Sequence, residues 1–303
     1  MIYVRKLMLP SELAEIEFIK LEKRTCFHTF YPFKIFPDKG LREVSFDAVT
    51  MFYGGNGSGK STLLNLIARK MGAARYSEFN DAPFFDTFAD MCYLEYAKRP
   101  RASFVLSSDD VFDYALSARA INEGIDDKRN QLFDKYVSVH SQVRYDPEMG
   151  RLHGLDDYER WREVREILSP KKSQSSYIKS RVVQDIDLCS NGETAMRYFL
   201  DRIDEDAVYL LDEPENSLSI ELQTELAAYV AATARAGNCQ FIIATHSPVF
   251  LSMQGAKIYD LDAYPASVSK WTDLPNVRKY FDFFMVISEI LHSAKTMPST
   301  SSP

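Results

Sequence analysis

Residues 49 to 71 hold an apolar run, a glycine-rich loop and an amphipathic run, one directly after the other. Val49-Thr50-Met51-Phe52-Tyr53 is β-branched and aromatic, as a strand requires. After the loop, Leu63, Leu64, Ile67 and Ala68 recur at helical spacing. Between them stands Gly54-Gly55-Asn56-Gly57-Ser58-Gly59-Lys60-Ser61-Thr62, which fits G-x-x-x-x-G-K-[S/T]. Glycines at those positions let successive backbone N–H groups turn inward around an anion, and the helix that follows aims its N-terminus at the same point. A chain with this feature must end a strand and start a helix within a few residues, which confines it to α/β architectures.

The rest of the chain extends that pattern. Phe33-Lys34-Ile35-Phe36 and Val44-Ser45-Phe46 read as strands of a small sheet ahead of the loop, whereas residues 1–25 read as an irregular start with a short amphipathic piece. Phe104-Val105-Leu106 reads as a strand, Val111 to Val139 as a long helix and Asp156 to Leu168 as another. Ala195 to Leu200 is helical, as is Ile220 to Ala236. Ala207-Val208-Tyr209-Leu210-Leu211 and Gln240-Phe241-Ile242-Ile243-Ala244 are nearly continuous apolar runs. Such runs, separated by helices, predict parallel strands covered on both faces. Ile258-Tyr259-Asp260-Leu261 is a further strand, with a helix near 276–292 behind it.

The predicted architecture is a P-loop α/β core, a mixed sheet flanked by helices, with a small antiparallel β subdomain and a helical lobe. The expected segments are 1–26 at the N-terminus, a core built from 27–73 and 190–292, a lobe at 74–189 inserted into it, and a disordered tail at 293–303. Net charge is 36 − 43 = −7, which argues against a chain coated by nucleic acid but allows a local basic strip. Cys26, Cys92, Cys189 and Cys239 form no CxxC pair, so the expected compartment is reducing. Met1 to Lys6 leads into acidic residues rather than an apolar signal core, and no apolar run approaches the ~20 residues of a membrane helix. Together these predict a cytoplasmic protein with no membrane partner.

A second chemical feature lies at Val208-Tyr209-Leu210-Leu211-Asp212-Glu213-Pro214-Glu215, an apolar strand ending in carboxylates. Ligands of α/β sheets collect at strand C-termini. Asp212 is placed to hold Mg²⁺ through water and Glu213 to polarise an attacking water. Lys60 should reach the β- and γ-phosphates of a nucleotide, and the Ser61 hydroxyl should take a Mg²⁺ position.

The phosphate loop, Ser190-Asn191-Gly192-Glu193, Leu211-Asp212-Glu213-Pro214, Asn216-Ser217-Leu218-Ser219 and Ala244-Thr245-His246-Ser247-Pro248 stand in a fixed order. In that order the chain resembles the ATP-binding-cassette (ABC) ATPases, with Walker A, signature, Walker B, D-loop and H-loop in turn. The resemblance spans about residues 27–262. The signature departs from Ser-Gly-Gly-Gln at Asn191 and Glu193, and with Thr245-His246-Ser247-Pro248 it looks like the soluble RecF/SMC-like and OLD-like branch, a stand-alone AAA-type ATPase, rather than a transporter cassette.

The resemblance implies an ATPase using ATP and Mg²⁺. It implies a head-to-tail homodimer in which ATP on Lys60 of one chain is completed by Ser190 and Gly192 of the other. It also implies that His246 contacts the γ-phosphate or the attacking water. Ser190 and Asn191 equally suit an ordinary helix N-cap. The family's Q-loop glutamine is left open between Gln131 and Gln142, both far from the strand ending at Ser107-Ser108-Asp109. Tyr31, Phe33 and Phe36 precede the loop as base-stacking candidates, although core packing suits each. Ser169 to Arg181 carries four basic residues and no acidic one, a solvated loop or a contact for nucleic acid or a partner chain. The 130 positions from Lys60 to Ser190 leave no room for a long coiled-coil arm. Partners are expected to be DNA, in repair or defence against foreign DNA, or a separately encoded effector such as a nuclease.

Overall fold

The computed structural model describes residues 1–23, 27, 29–77, 82–146, 158–168, 178, 181–182 and 191–295. The chain divides into two compact units, one made of Met1–Phe112 with Asn191–Pro303 and the other of Asp113–Ser190.

Among the described residues the first unit holds two sheets. The larger has the order β5-β6-β7-β3-β8-β9, from β3 (Val49–Tyr53), β5 (Ala102–Ser107), β6 (Ala207–Asp212), β7 (Gln240–Ala244), β8 (Lys257–Asp260) and β9 (Ser267–Ser269). All its pairs are parallel except the edge pair β8–β9. Every residue of β3 and β7 is buried, as a strand covered on both faces must be. Helix α2 (Lys60–Met71) packs Leu63, Leu64, Leu66 and Ile67 into the main core and ends on Gly72 at φ 64°. Helices α6 (Asn191–Arg202), α7 (Ile220–Ala236), α8 (Pro248–Leu251) and α9 (Pro275–Lys295) complete the unit's C-terminal half.

The smaller sheet is antiparallel, ordered β2-β1-β4 from β1 (Val4–Met8), β2 (Glu43–Ser45) and β4 (Tyr93–Tyr96). Its central strand lies where the sequence reads as irregular. The register shifts between Val4 and Lys6, so the buried residues Val4 and Leu7 fall three apart and the alternation of a strand is lost. Helix α1 (Glu12–Leu21) follows, capped by the Ser11 side chain. Phe33-Lys34-Ile35-Phe36, expected as a strand, is a turn instead. Lys34 takes φ 71°, and its N–H donates to the buried Glu15 Oε2 at 2.6 Å. That turn sends Phe33 and Phe36 to one side, both against Phe88.

The inserted unit starts later than the Ala74 expected. Residues between 74 and 112 carry β4 and β5, which pair with β1 and β6. The long helix α4 (Ser108–Tyr145) begins in the first unit and runs on into the second. Within the second unit, Leu132, Ile167 of α5 (Tyr158–Ile167) and Ile178 form a small core, flanked by Lys135–Glu163 and Arg181–Glu166 ion pairs at 2.5 and 2.7 Å. Among the described residues no helix is long and apolar enough to cross a membrane.

One buried side chain ties the two sheets together. Gln240, at the start of β7, is fully buried. Its Oε1 accepts from the N–H groups of Tyr3 (2.9 Å) and Val4 (2.8 Å), and its Nε2 donates to the carbonyls of Val4 (2.9 Å) and Asp47 (3.0 Å). All four bonds are lost in Gln240→Leu, and the stranded buried backbone groups should cost about 3 kcal/mol. Urea denaturation of the variant against the native chain measures that loss.

Candidate functional site

The ends of three adjacent parallel strands define the site. β3 runs into the phosphate loop, β6 into Asp212 and Glu213, and β7 into Thr245 and His246. Backbone bonds continue the sheet past its strands: Glu213 N–H donates to Ala244 O at 2.9 Å, and Thr245 N–H to Phe52 O at 3.1 Å.

Gly54, Gly57 and Gly59 take φ of 158°, 77° and 92°. At Gly54 the need is also steric, because a Cβ there would stand 2.6 Å from Ser58 Oγ. Asn56 and Gly57 are exposed at the tip of the loop. Ser58 Oγ is buried with no hydrogen-bond partner among the described residues. Such an orphaned hydroxyl in a glycine cradle at a helix N-terminus suits a phosphate oxygen. Lys60 is 4% exposed, and its ammonium donates to the carbonyls of Gly54 (2.8 Å) and Gly55 (3.2 Å). Thr62 faces backwards, sharing a 2.8 Å hydrogen bond with the Tyr31 hydroxyl.

Ser61 Oγ donates to Asp212 Oδ1 at 3.0 Å, so the two residues predicted to hold a metal are adjacent. Among the described residues no group of three or more His, Cys, Asp or Glu is arranged to hold a metal unaided. A cation at Ser61 and Asp212 would therefore take its remaining ligands from phosphate and water. Burial pushes the Asp212 carboxyl up to about 6, the Ser61 bond opposes that, Glu213 adds to it, Lys60 opposes it and Asp109 adds again.

Glu213 Oε1 lies 3.7 Å from Lys60 Nζ and 3.9 Å from His246 Nδ1, and Oε2 accepts from Asn216 Nδ2 at 3.0 Å. Its backbone sits at φ 47°, which a non-glycine residue rarely adopts and which turns the carboxylate back towards the loop.

Glu215 is a member of the site that the sequence reading passed over. It is 6% exposed. Its Oε1 accepts from Thr245 Oγ1 (2.7 Å), His246 N–H (2.8 Å) and Ser247 N–H (3.2 Å), and stands 3.4 Å from His246 Nδ1. Gln223 of α7 completes the frame, accepting from Ser247 Oγ at 2.7 Å and donating to Leu218 O at 3.0 Å. The second acidic residue of Asp-Glu-Pro-Glu was the available signal, since a carboxylate just past a buried strand has to find donors.

Other expectations fall differently. Phe33 (5%) and Phe36 (0%) are buried in the aromatic core, which removes both as base-stacking residues. Gly192, at the start of α6, has Leu222 and Ser217 as nearest neighbours: a Cβ would stand 2.9 Å from Leu222 Cδ1, so close packing accounts for glycine there. Ser190 and most of Ser169 to Arg181 lie outside the described residues. Near the open second metal-side position, Asp110 accepts from Ser107 N–H (2.8 Å) and Ser77 N–H (2.8 Å).

Residues 198–252, which contain Asp212, Glu213, Glu215 and His246, match the family model described as "AAA domain, putative AbiEii toxin, Type IV TA system". The match covers that stretch alone, which holds the carboxylates and the histidine loop. No curated protein matches the chain by sequence. Among solved structures it is similar to the Smc head domain with an extended coiled coil bound to the C-terminal domain of ScpA from Pyrococcus furiosus (13% identity, TM-score 0.40, covering 95% of this chain and 100% of that one). It is similar also to the SMC head domain from Thermotoga maritima (15%, TM-score 0.39, 88% and 98%). A third likeness is to "a putative metal-chelate type ABC transporter" in an inward-facing conformation (15%, TM-score 0.35, 77% and 76%).

Two predictions follow from this geometry. The folded chain holds the Asp212 proton more tightly than the unfolded chain does, so stability falls as pH rises from about 4 to about 6 and is not penalised below that window. Asp212→Asn should therefore raise the melting temperature of the nucleotide-free protein at neutral pH, by at most about 3 kcal/mol in stability. Melting curves in acid should show the gain vanish below about pH 4. Glu215→Ala should lower turnover about tenfold or more with ATP affinity little changed, and Glu215→Gln, which keeps an acceptor oxygen, should recover most of it. Steady-state ATPase assays of the two variants check this.

Proposed function

We propose that the chain binds ATP with Mg²⁺, hydrolyses it, and uses the cycle as a conformational switch. The convergence of Lys60, Asp212, Glu213 and His246 on one sheet edge carries this reading. The glycine cradle and Lys60 hold the phosphates. Ser61 and Asp212 would hold Mg²⁺, which neutralises phosphate charge when bound. Glu213, poised between Lys60 and His246, orients and polarises the attacking water. His246, fixed through its backbone by Glu215, faces the γ-phosphate side.

ATP closes a head-to-tail homodimer in this reading, with Ser190 and Gly192 of one chain facing the nucleotide of the other, and hydrolysis reopens it. The switch serves a DNA-linked process, repair or defence against foreign DNA. The second reading, a nucleotide-gated module controlling a separately encoded effector, draws support from α9. Tyr280, Phe281, Phe283 and Phe284 on that helix are 51–62% exposed, and Tyr280 and Phe284 share a cavity of about 550 Å³ with Asn216 and His246. An apolar surface of this kind suits a protein partner.

Glu213→Gln should bind ATP, lose at least about a hundredfold in turnover and accumulate as a dimer with ATP, while Lys60→Ala should lose nucleotide binding. Turnover with and without single-stranded or duplex DNA, together with size-exclusion chromatography, reads all of these. Stimulation by DNA favours the first arm of the switch, and indifference to DNA favours the effector. Undiminished turnover in Glu213→Gln removes the assigned role.

A further inference from the structure

The end of the larger sheet away from the nucleotide site carries a second cleft. β5 begins there at Ala102 and ends beside Asp212, with which Ser107 is in register. Five steps of strand place the cleft about 16 Å from the carboxylates. Its volume is about 500 Å³, and its walls include Lys70, Arg99, Arg101, Tyr96 and Phe104. Among the described residues, no acidic one lines it.

Charge and chemistry at this cleft run against the rest of the molecule. The chain carries −7 overall, yet Lys98-Arg99-Pro100-Arg101 in the β4–β5 connection holds three cations, with no acidic residue between Glu95 and Asp109. Lys98, Arg99 and Arg101 are exposed, and none of them forms an ion pair among the described residues. Arg69, by contrast, is committed to Asp86 at 2.7 Å and stands outside the cleft lining. Lys70 lies in the last turn of α2, where a cation complements the helix dipole, so its presence has a local cause. Arg99 and Arg101 lie on no helix and have no such cause. The cations are interleaved with two half-buried aromatic rings, Tyr96 and Phe104.

From this juxtaposition we propose that the Lys70–Arg99–Arg101 cleft, with Tyr96 and Phe104 in its walls, binds the sugar–phosphate backbone of single-stranded nucleic acid. Two arginines and a lysine meet phosphates. The aromatic rings meet the faces of unpaired bases, which a duplex keeps stacked on each other. Phe104 already stacks on Tyr209 and Tyr96 packs against the core, but an acidic polypeptide would satisfy the cations without stacking on either ring as bases do. Helix α2 joins the two sites: Lys60 opens it at the phosphate loop, and Lys70 stands ten residues further, about 15 Å along its axis. The cleft takes up the nucleic-acid arm of the proposed function, but binding there needs neither ATP nor hydrolysis.

The test uses the full chain without nucleotide and the fluorescence anisotropy of labelled oligo-dT and oligo-U twenty-mers. Native protein binds one or both, the two probes separating DNA from RNA. Arg99→Ala/Arg101→Ala weakens binding at least tenfold and makes the dependence of log affinity on log salt shallower by about 1.4, the value for two lost single-strand phosphate contacts. Arg99→Lys/Arg101→Lys retains most of the affinity. A fluorescent ATP analogue binds the alanine double variant as it binds the native chain, showing that the fold is intact. Lys60→Ala still binds the oligonucleotides, so failure of the ATPase reading and failure of this one are told apart. The proposal is overturned if native protein binds neither oligonucleotide, if the alanine double variant binds them undiminished, or if polyglutamate binds as tightly as they do.

Discussion

Parallel pairing of β6, β7 and β3 sets the distance between every group that matters at the site. Asp212 is in register with Ala244, and Phe52 with Ala244 on the other side, so the three strands end at one level. The bonds from Glu213 N–H to Ala244 O and from Thr245 N–H to Phe52 O hold that level one residue beyond the strands. A slip of one residue in any of them would turn a carboxylate or the histidine loop to the opposite face. Burial of β3 and β7 along their whole length forbids such a slip, because it would bring no new apolar contact and would break the ladder. The hydrophobic core thus fixes the polar geometry above it.

That geometry concentrates like charge. Asp212, Glu213 and Glu215 lie within four residues of each other, with Lys60 as the nearest cation to Glu213. Each carboxylate is managed differently. Glu215 takes three donors from the histidine loop on Oε1, while its buried Oε2 has no hydrogen-bond partner among the described residues. Glu213 is partly open to solvent and close to Lys60. Asp212 is half-buried with a single hydroxyl donor among the described residues, and its proton affinity rises accordingly. A half-buried carboxylate with so little compensation is costly by itself, and a cation beside it would relieve that cost. The loop opposite supplies the complementary case, the Ser58 hydroxyl with no hydrogen-bond partner among the described residues.

Elements whose burial matches their period were legible in the sequence. Ile220–Ala236 and Gln240–Ala244 have the bounds read from the apolar pattern alone. What escaped had a local cause. β1 is interrupted by a bulge, so its buried residues mimic a helical step. β9 has one apolar residue, Val268, and is exposed at the sheet edge. Phe33 and Phe36 look like strand residues because they are aromatic, but Lys34 between them adopts a left-handed backbone held by Glu15, nineteen residues earlier. At the site, the phosphate loop and Asp212–Glu213 were legible because their chemistry is local. Glu215 and Gln223 were not, since their bonds join segments 30 and 24 residues apart.

The backbone at Glu213 carries one more implication. A glycine would accept φ 47° without the strain that a Cβ brings, and asparagine would tolerate it better than most residues. Folding alone would therefore favour another residue at this position, whose carboxylate lies 3.7 Å from Lys60. Variation screened only for a well-folded product would drift away from glutamate here, and selection for thermal robustness would trade the acid for a better-behaved turn. A glutamate at φ 47° is a choice that backbone energetics alone would not make.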